Sequence, residues 1–120
     1  MPIGNKVFLG EKTNEEGALE LKYSFKGWVE EIDVDYGELG PDTKLTITTS
    51  TGKDIPLPQG NDSTIFPIFP RTNANEQKFA GIGVDAPLIV RYVNAGELVI
   101  KIENSDPDKL VGKIEIVYEK

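Results

Sequence analysis

Apolar and polar residues alternate most strictly near the C-terminal end of the chain. Leu98, Ile100 and Ile102 alternate with Val99, Lys101 and Glu103, and after a polar break Ile114, Ile116 and Tyr118 alternate with Lys113, Glu115, Val117 and Glu119. A period of two is that of a strand with one face on a core and the other in water. Two such runs joined by a short loop with Asp106, Pro107 and Asp108 predict an antiparallel C-terminal β-hairpin.

Upstream, residues 1–16 read as an extended arm or edge strand around Val7, Phe8 and Leu9, followed by a polar loop. Over 19–26, Leu19, Leu21, Tyr23 and Phe25 alternate with charged or small polar residues, and Gly27 breaks the run. A second strand over 28–36 places Trp28, Ile32, Val34 and Tyr36 on one side, with Val29 as the exception. Glu30 falls on that apolar side, so the pattern predicts a bulge or an edge position there. The threonine-rich run 44–50, with Leu45 and Ile47 inward, suits a strand rather than a helix. Prolines 56 and 58 confine the next extended piece to an edge.

From 60 to 86 the alternation fades into a long irregular loop, and loops of that length are commonly functional or disordered. Residues 88–93 resume a strand, and Asn94, Ala95 and Gly96 read as a short turn. Nowhere do ten residues hold a helical stripe. The expectation is one all-β domain over 1–120, an antiparallel β-sandwich or jelly roll of seven to eight strands.

Charge and composition narrow the partners. A net charge of −7 and a pI near 4.6 argue against nucleic acid and anionic membranes. The chain has no Cys and no His, which removes disulfides, thiolate chemistry and the commonest general base and metal ligand. The first residues have no apolar run of signal-peptide length, and no run approaches a membrane span, so synthesis in the cytoplasm without classical secretion is expected.

Three constellations remain. Glu31, Asp33 and Asp35 project from one strand face about 7 Å apart; a carboxylate pair can catalyse, but a flat face lacks the pocket that shifts a pKa, and a solvated face is the better reading. Asn104, Asp106 and Asp108 offer oxygens at alternate positions, as a hard cation takes them, yet the EF-hand offsets fail and Asx-Pro turn chemistry accounts for the same residues. Among the aromatics, Trp28, Tyr23, Tyr36 and Tyr92 share parity with aliphatic neighbours and read as core, whereas Phe66, Phe69 and Phe79 lie in the irregular region. There they form either a lid on the open end of the sandwich or a contact surface. A triad of the usual kind is excluded without His or Cys, so no enzyme is expected and no cofactor is called for.

The order of phrases carries a resemblance. Residues 27–37 (Gly-Trp-Val-x-x-Ile-x-Val-Asp-Tyr-Gly), 42–49, the Pro-ended Ile65-Phe66-Pro67, 86–90, 96–100 and the closing Ile116-Val117-Tyr118-Glu119 together resemble small accessory proteins of tailed bacteriophages, such as capsid decoration proteins. The resemblance implies a structural virion protein, clustered in copies and bound by loops and an arm. It matches no binding motif, so no residue role is carried over.

The expected function is therefore non-enzymatic. The chain reads as a phage virion accessory or capsid decoration protein, docking on a capsid or other virion protein or forming a homo-oligomer, placed in the virion or otherwise in the cytoplasm. The residues expected to make contact are Val7, Phe8, Leu9, Phe66, Phe69, Arg71 and Phe79. The alternative is a carbohydrate- or ligand-binding β-sandwich module.

Overall fold

The computed structural model describes residues 3–57, 65–73 and 89–120, with the backbone alone described at 65, 66, 72, 73 and 89. It is all-β and antiparallel, as the alternation requires. The strands are β1 (Ile3–Phe8), β2 (Leu19–Asp35), β3 (Lys44–Thr48), β4 (Asp54–Ile55), β5 (Ile65–Ile68), β6 (Arg71–Asn73), β7 (Ile89–Arg91), β8 (Val93–Glu103) and β9 (Lys113–Glu119). Among the described residues no helix is long and apolar enough to cross a membrane.

Everything is arranged around β2. Its first part pairs β8, from Leu19 opposite Ile102 to Trp28 opposite Val93. Its second part pairs β9, from Trp28 opposite Glu119 to Asp35 opposite Lys113, and takes β5 on its other edge. The main sheet runs β1-β9-β2-β8-β3-β4, while β6 and β7 form a separate two-stranded ribbon. One arm of the sheet is thus β2, β8, β3 and β4; the other is β5, β2, β9 and β1. Both arms feed a single buried cluster that includes Leu21, Leu45, Ile47, Leu98 and Ile100 from the first and Val34, Ile114 and Ile116 from the second. The rings of Phe25 and Tyr118 stack within it at 4.2 Å.

Glu30 sits at a bulge, where the pairing with β9 shifts register between Val29 and Glu31. Before it the inward residues are Leu21, Phe25 and Val29; after it they are Ile32 and Val34. One extra residue exchanges the two faces of a strand, which is why the parity of the apolar positions changes there. Trp28 therefore points outward and Val29 is fully buried, the reverse of the sequence expectation. Gly27 does not break the strand either; β2 runs through it for 17 residues. A Cβ at Gly27 would lie 2.4 Å from the carbonyl oxygen of Glu119, so this crossing requires glycine.

Three further expectations are corrected. The terminal hairpin does not form: β8 pairs β2 and β3, whereas β9 pairs β1 and β2 on the opposite side. The link between them crosses from one arm to the other, and it is tied to the N-terminal loop by Thr13 N–H to Lys109 C=O at 3.0 Å and Val111 N–H to Glu11 C=O at 2.9 Å. Asn94, Ala95 and Gly96 are not a turn but part of β8, with Asn94 fully buried. Within the supposed irregular loop, 65–68 forms a strand on β2 and 71–73 pairs with β7. Residues 60–64 and 74–86 of that loop lie outside the described residues.

Candidate functional site

The arm strand β1 pairs β9 along its whole length and ends the sheet. The strand period separates its residues. Phe8 faces inward and belongs to the core, which removes it from the expected contact surface; Val7 is half-buried. Leu9 is 65% exposed and Ile3 is 58% exposed, at the two ends of the same strand. At the far edge of that arm lies β5, and just beyond it Phe69 is 58% exposed. The side chain of Phe66 and the whole of Phe79 fall outside the described residues.

Arg71, one of the expected contact residues, is exposed and joins an ion network around Trp28. Trp28 is the residue at which β2 passes from β8 to β9, so its ladder neighbours are Val93 on one side and Glu119 on the other. The bulge turns Glu30 outward beside it. Arg91 of β7 places Nη1 2.7 Å from the Glu30 carboxylate and 3.3 Å from that of Glu119. Arg71 of β6 reaches the same Glu30 carboxylate at 3.4 Å and also donates to the Pro70 carbonyl at 2.8 Å. The Arg91 guanidinium lies over the indole, 5.9 Å from the ring centroid. The hydrogen bond from Arg91, helped by the charge of Arg71, holds the Glu30 carboxyl below the usual glutamate range. The hydrogen bonds that Arg91 donates to Glu30 and Glu119 raise the pKa of its guanidinium in turn.

Two open depressions flank the indole. One, of about 470 Å³, is lined by Trp28, Glu30, Arg71, Val90 and Arg91. The other, of about 440 Å³, is mostly apolar and is lined by Trp28, Lys26, Gly27, Val93, Ala95 and Lys120. Sequence reading missed this site because it put Trp28 in the core and both arginines near or within a patternless segment. Two traces were legible: Arg71, expected as a contact residue, and Glu30, out of phase with its strand.

The other constellations are arranged less favourably for chemistry. Glu31 shares a hydrogen bond with Asp33, and that bond, with burial and the neighbouring charge, raises the Glu31 carboxyl above its usual range. Asp33 also stands opposite Glu115 in the ladder, an unfavourable like-charge pairing. Asn5 at 2.9 Å and Lys113 at 3.6 Å engage the Glu115 carboxylate on this open sheet face. In the loop before β9, Asn104 and Asp108 take left-handed backbone angles, φ 57° and 54°, as turn-forming Asx residues do. The Thr13 hydroxyl donates to the Asp106 carbonyl at 2.9 Å and accepts from the Lys109 N–H at 3.0 Å, so the loop is held by hydrogen bonds. Among the described residues no group of three or more acidic side chains is placed to hold a metal ion. Tyr36 and Tyr92 are buried, and Tyr23 meets Tyr118 hydroxyl to hydroxyl at 2.6 Å, so these aromatics are structural.

No known protein family matches the sequence, and no curated protein is significantly similar to it. Among solved structures, 99% of the chain superimposes on 27% of a serine protease of Aeromonas sobria, with a TM-score of 0.44 and 8% identity. A superposition that loose transfers neither an activity nor a residue role.

Proposed function

We propose that this is a non-enzymatic structural and interaction protein, a virion accessory or decoration component that self-associates or docks on a shell. One observation carries the reading. Exposed Ile3 and Leu9 mark one edge of the β5-β2-β9-β1 arm, and exposed Phe69 lies at the other. Different apolar patches on opposite edges suit head-to-tail contact, which closes into rings when the rotation allows. An edge strand with no further partner among the described residues adds backbone groups that another chain can pair. The resemblance to phage decoration proteins supplies the setting.

Light scattering tests this, on the protein alone and mixed with purified phage capsids. Assembly or shell binding is expected, and the double substitution Leu9→Glu with Phe69→Glu should abolish it without moving the thermal transition. A monomer that ignores shells ends the reading.

A further inference from the structure

We propose that the peptide bond between Asp106 and Pro107 is a site of self-cleavage, with the Asp106 carboxyl as nucleophile and the Thr13 and Ser105 hydroxyls as its oxyanion hole. The proposal is independent of the edge-docking reading, since the two share no residue. It describes a single event within the chain, not turnover of a substrate.

The 104–108 loop is poorly built for a cation but well built for a reaction of its own backbone. It holds the one Asp-Pro link in the chain. An aspartate carboxyl can close a five-membered ring on its own carbonyl carbon, an intramolecular attack. The proline nitrogen belongs to a tertiary amide and leaves readily once protonated. Water is the only co-reactant. A carboxyl oxygen of Asp106 forms a bond to the carbonyl carbon of the same residue, and the carbonyl π pair moves onto its oxygen. That pair returns as the C–N bond breaks, and the proline nitrogen leaves with the carboxyl proton. Water then opens the cyclic anhydride, leaving Asp106 as a C-terminus and Pro107 as an N-terminus.

The fold adds what a free Asp-Pro link lacks, two hydroxyl donors at the carbonyl oxygen where charge develops. The Ser105 hydroxyl donates to it at 2.7 Å and the Thr13 hydroxyl at 2.9 Å. Thr13 Oγ1 also accepts the Lys109 N–H at 3.0 Å, which turns its own proton toward Asp106; the Lys109 carbonyl is farther, at 3.4 Å. Thr13 and Ser105 are both buried, so little water competes for their hydroxyls. Asp106 and Pro107 are exposed, which lets the carboxyl rotate and lets water reach the anhydride. Backbone bonds fix the loop on both sides of the link: Ser105 N–H to Gly17 C=O at 3.1 Å and Asp108 N–H to Asn14 C=O at 3.2 Å. Donors held in advance stabilise an oxyanion without reorganising. The break lies before β9, which keeps its ladders with β1 and β2, so the cut strand stays in place.

Intact mass is followed on the full chain in mildly acid buffer in which circular dichroism shows the fold retained. The same chain unfolded in guanidinium chloride is followed in parallel. Fragments 1–106 and 107–120 are expected, forming roughly tenfold or more faster from the folded chain. Asp106→Ala and Pro107→Ala should stop the reaction. Thr13→Val and Ser105→Ala should each slow it in the folded chain and leave the unfolded rate unchanged, whereas Thr13→Ser should keep the native rate. No cleavage at this link overturns the proposal. Cleavage no faster in the folded chain than in the unfolded one overturns it too, being the ordinary acid lability of an Asp-Pro link. So does a rate left unchanged by Thr13→Val and Ser105→Ala combined in a folded variant. If that pair does not fold, Ser105→Ala alone carries the comparison.

Discussion

Arg91 Nη1 stands 2.7 Å from the carboxylate of Glu30, joining the β6-β7 ribbon to the bulge of the central strand. The contact matters because the ribbon is not hydrogen-bonded into the main sheet as a ladder. Val29 N–H to Tyr92 C=O at 2.8 Å and the arginine-glutamate network hold it there. Glu30 is depressed in the folded state, chiefly by the hydrogen bond from Arg91. Its contribution is therefore complete above the unfolded glutamate pKa and is lost as pH falls through the lower, folded value. Hydrogen exchange should show the β6 and β7 amides losing protection in acid before the β2 and β8 amides do. Glu30→Gln should flatten that dependence, while global stability changes by less than about 1 kcal/mol because the pair is partly exposed.

Asn94 is a fully buried polar residue that ties β8 to β2 and to the segment after β3. Its amide donates to the Phe25 carbonyl at 2.9 Å and the Gly96 carbonyl at 3.0 Å, and accepts from the Ser50 N–H at 2.8 Å. Asn94→Ala would remove all three bonds, of which the one to the Phe25 carbonyl is buried. A loss on the order of 3 kcal/mol is expected in urea unfolding. Asn94→Asp should be no better, since a carboxylate cannot donate to two carbonyls.

Gly27 and Gly10 separate crowding from backbone conformation. Gly27→Ala drives a Cβ to 2.4 Å from a backbone oxygen, which must move, and should cost roughly 1–3 kcal/mol. Gly10 has open space around it but a φ of +71°. Gly10→Ala should cost about 1 kcal/mol from conformation alone. Thermal unfolding of the two variants under identical conditions checks the order.

Neighbouring residues in the arm should behave oppositely. Phe8 is in the core, so Phe8→Ala should destabilise by about 3–5 kcal/mol. Leu9, mostly exposed, should change stability by no more than about 0.5 kcal/mol on the same replacement. If Leu9→Ala instead unfolds the protein, the arm is held by packing that this exposure does not describe.

The Tyr23 hydroxyl is raised above the usual tyrosine range, first by its hydrogen bond to Tyr118 and then by burial. The associated stability is complete below the unfolded tyrosine pKa and fades as pH rises through the higher folded value. Ultraviolet titration should show Tyr23 ionising late, and Tyr118→Phe should bring it earlier.

Much of the fold was written in local pattern. The alternation at 98–102 and 114–118 set which faces of β8 and β9 are buried, and the misplaced Glu30 announced the bulge. The Asx-rich loop at 104–108 was readable as a turn. The pattern around Trp28 misled, because a bulge exchanges faces without changing residue type. From the sequence, Trp28 and Val29 differ only in parity, and parity is what the extra residue resets.

The sequence by itself determined an all-β chain with neither histidine nor cysteine, and an acidic surface. Tertiary structure alone decided who neighbours whom. Alternation states which side of a strand meets the core, but a strand has two edges and the pattern is silent about both. Hence β8 and β9 look like a hairpin yet lie on opposite sides of β2. For the same reason, two arginines far along the chain meet a glutamate in the central strand, and Trp28 stands beside them at the surface.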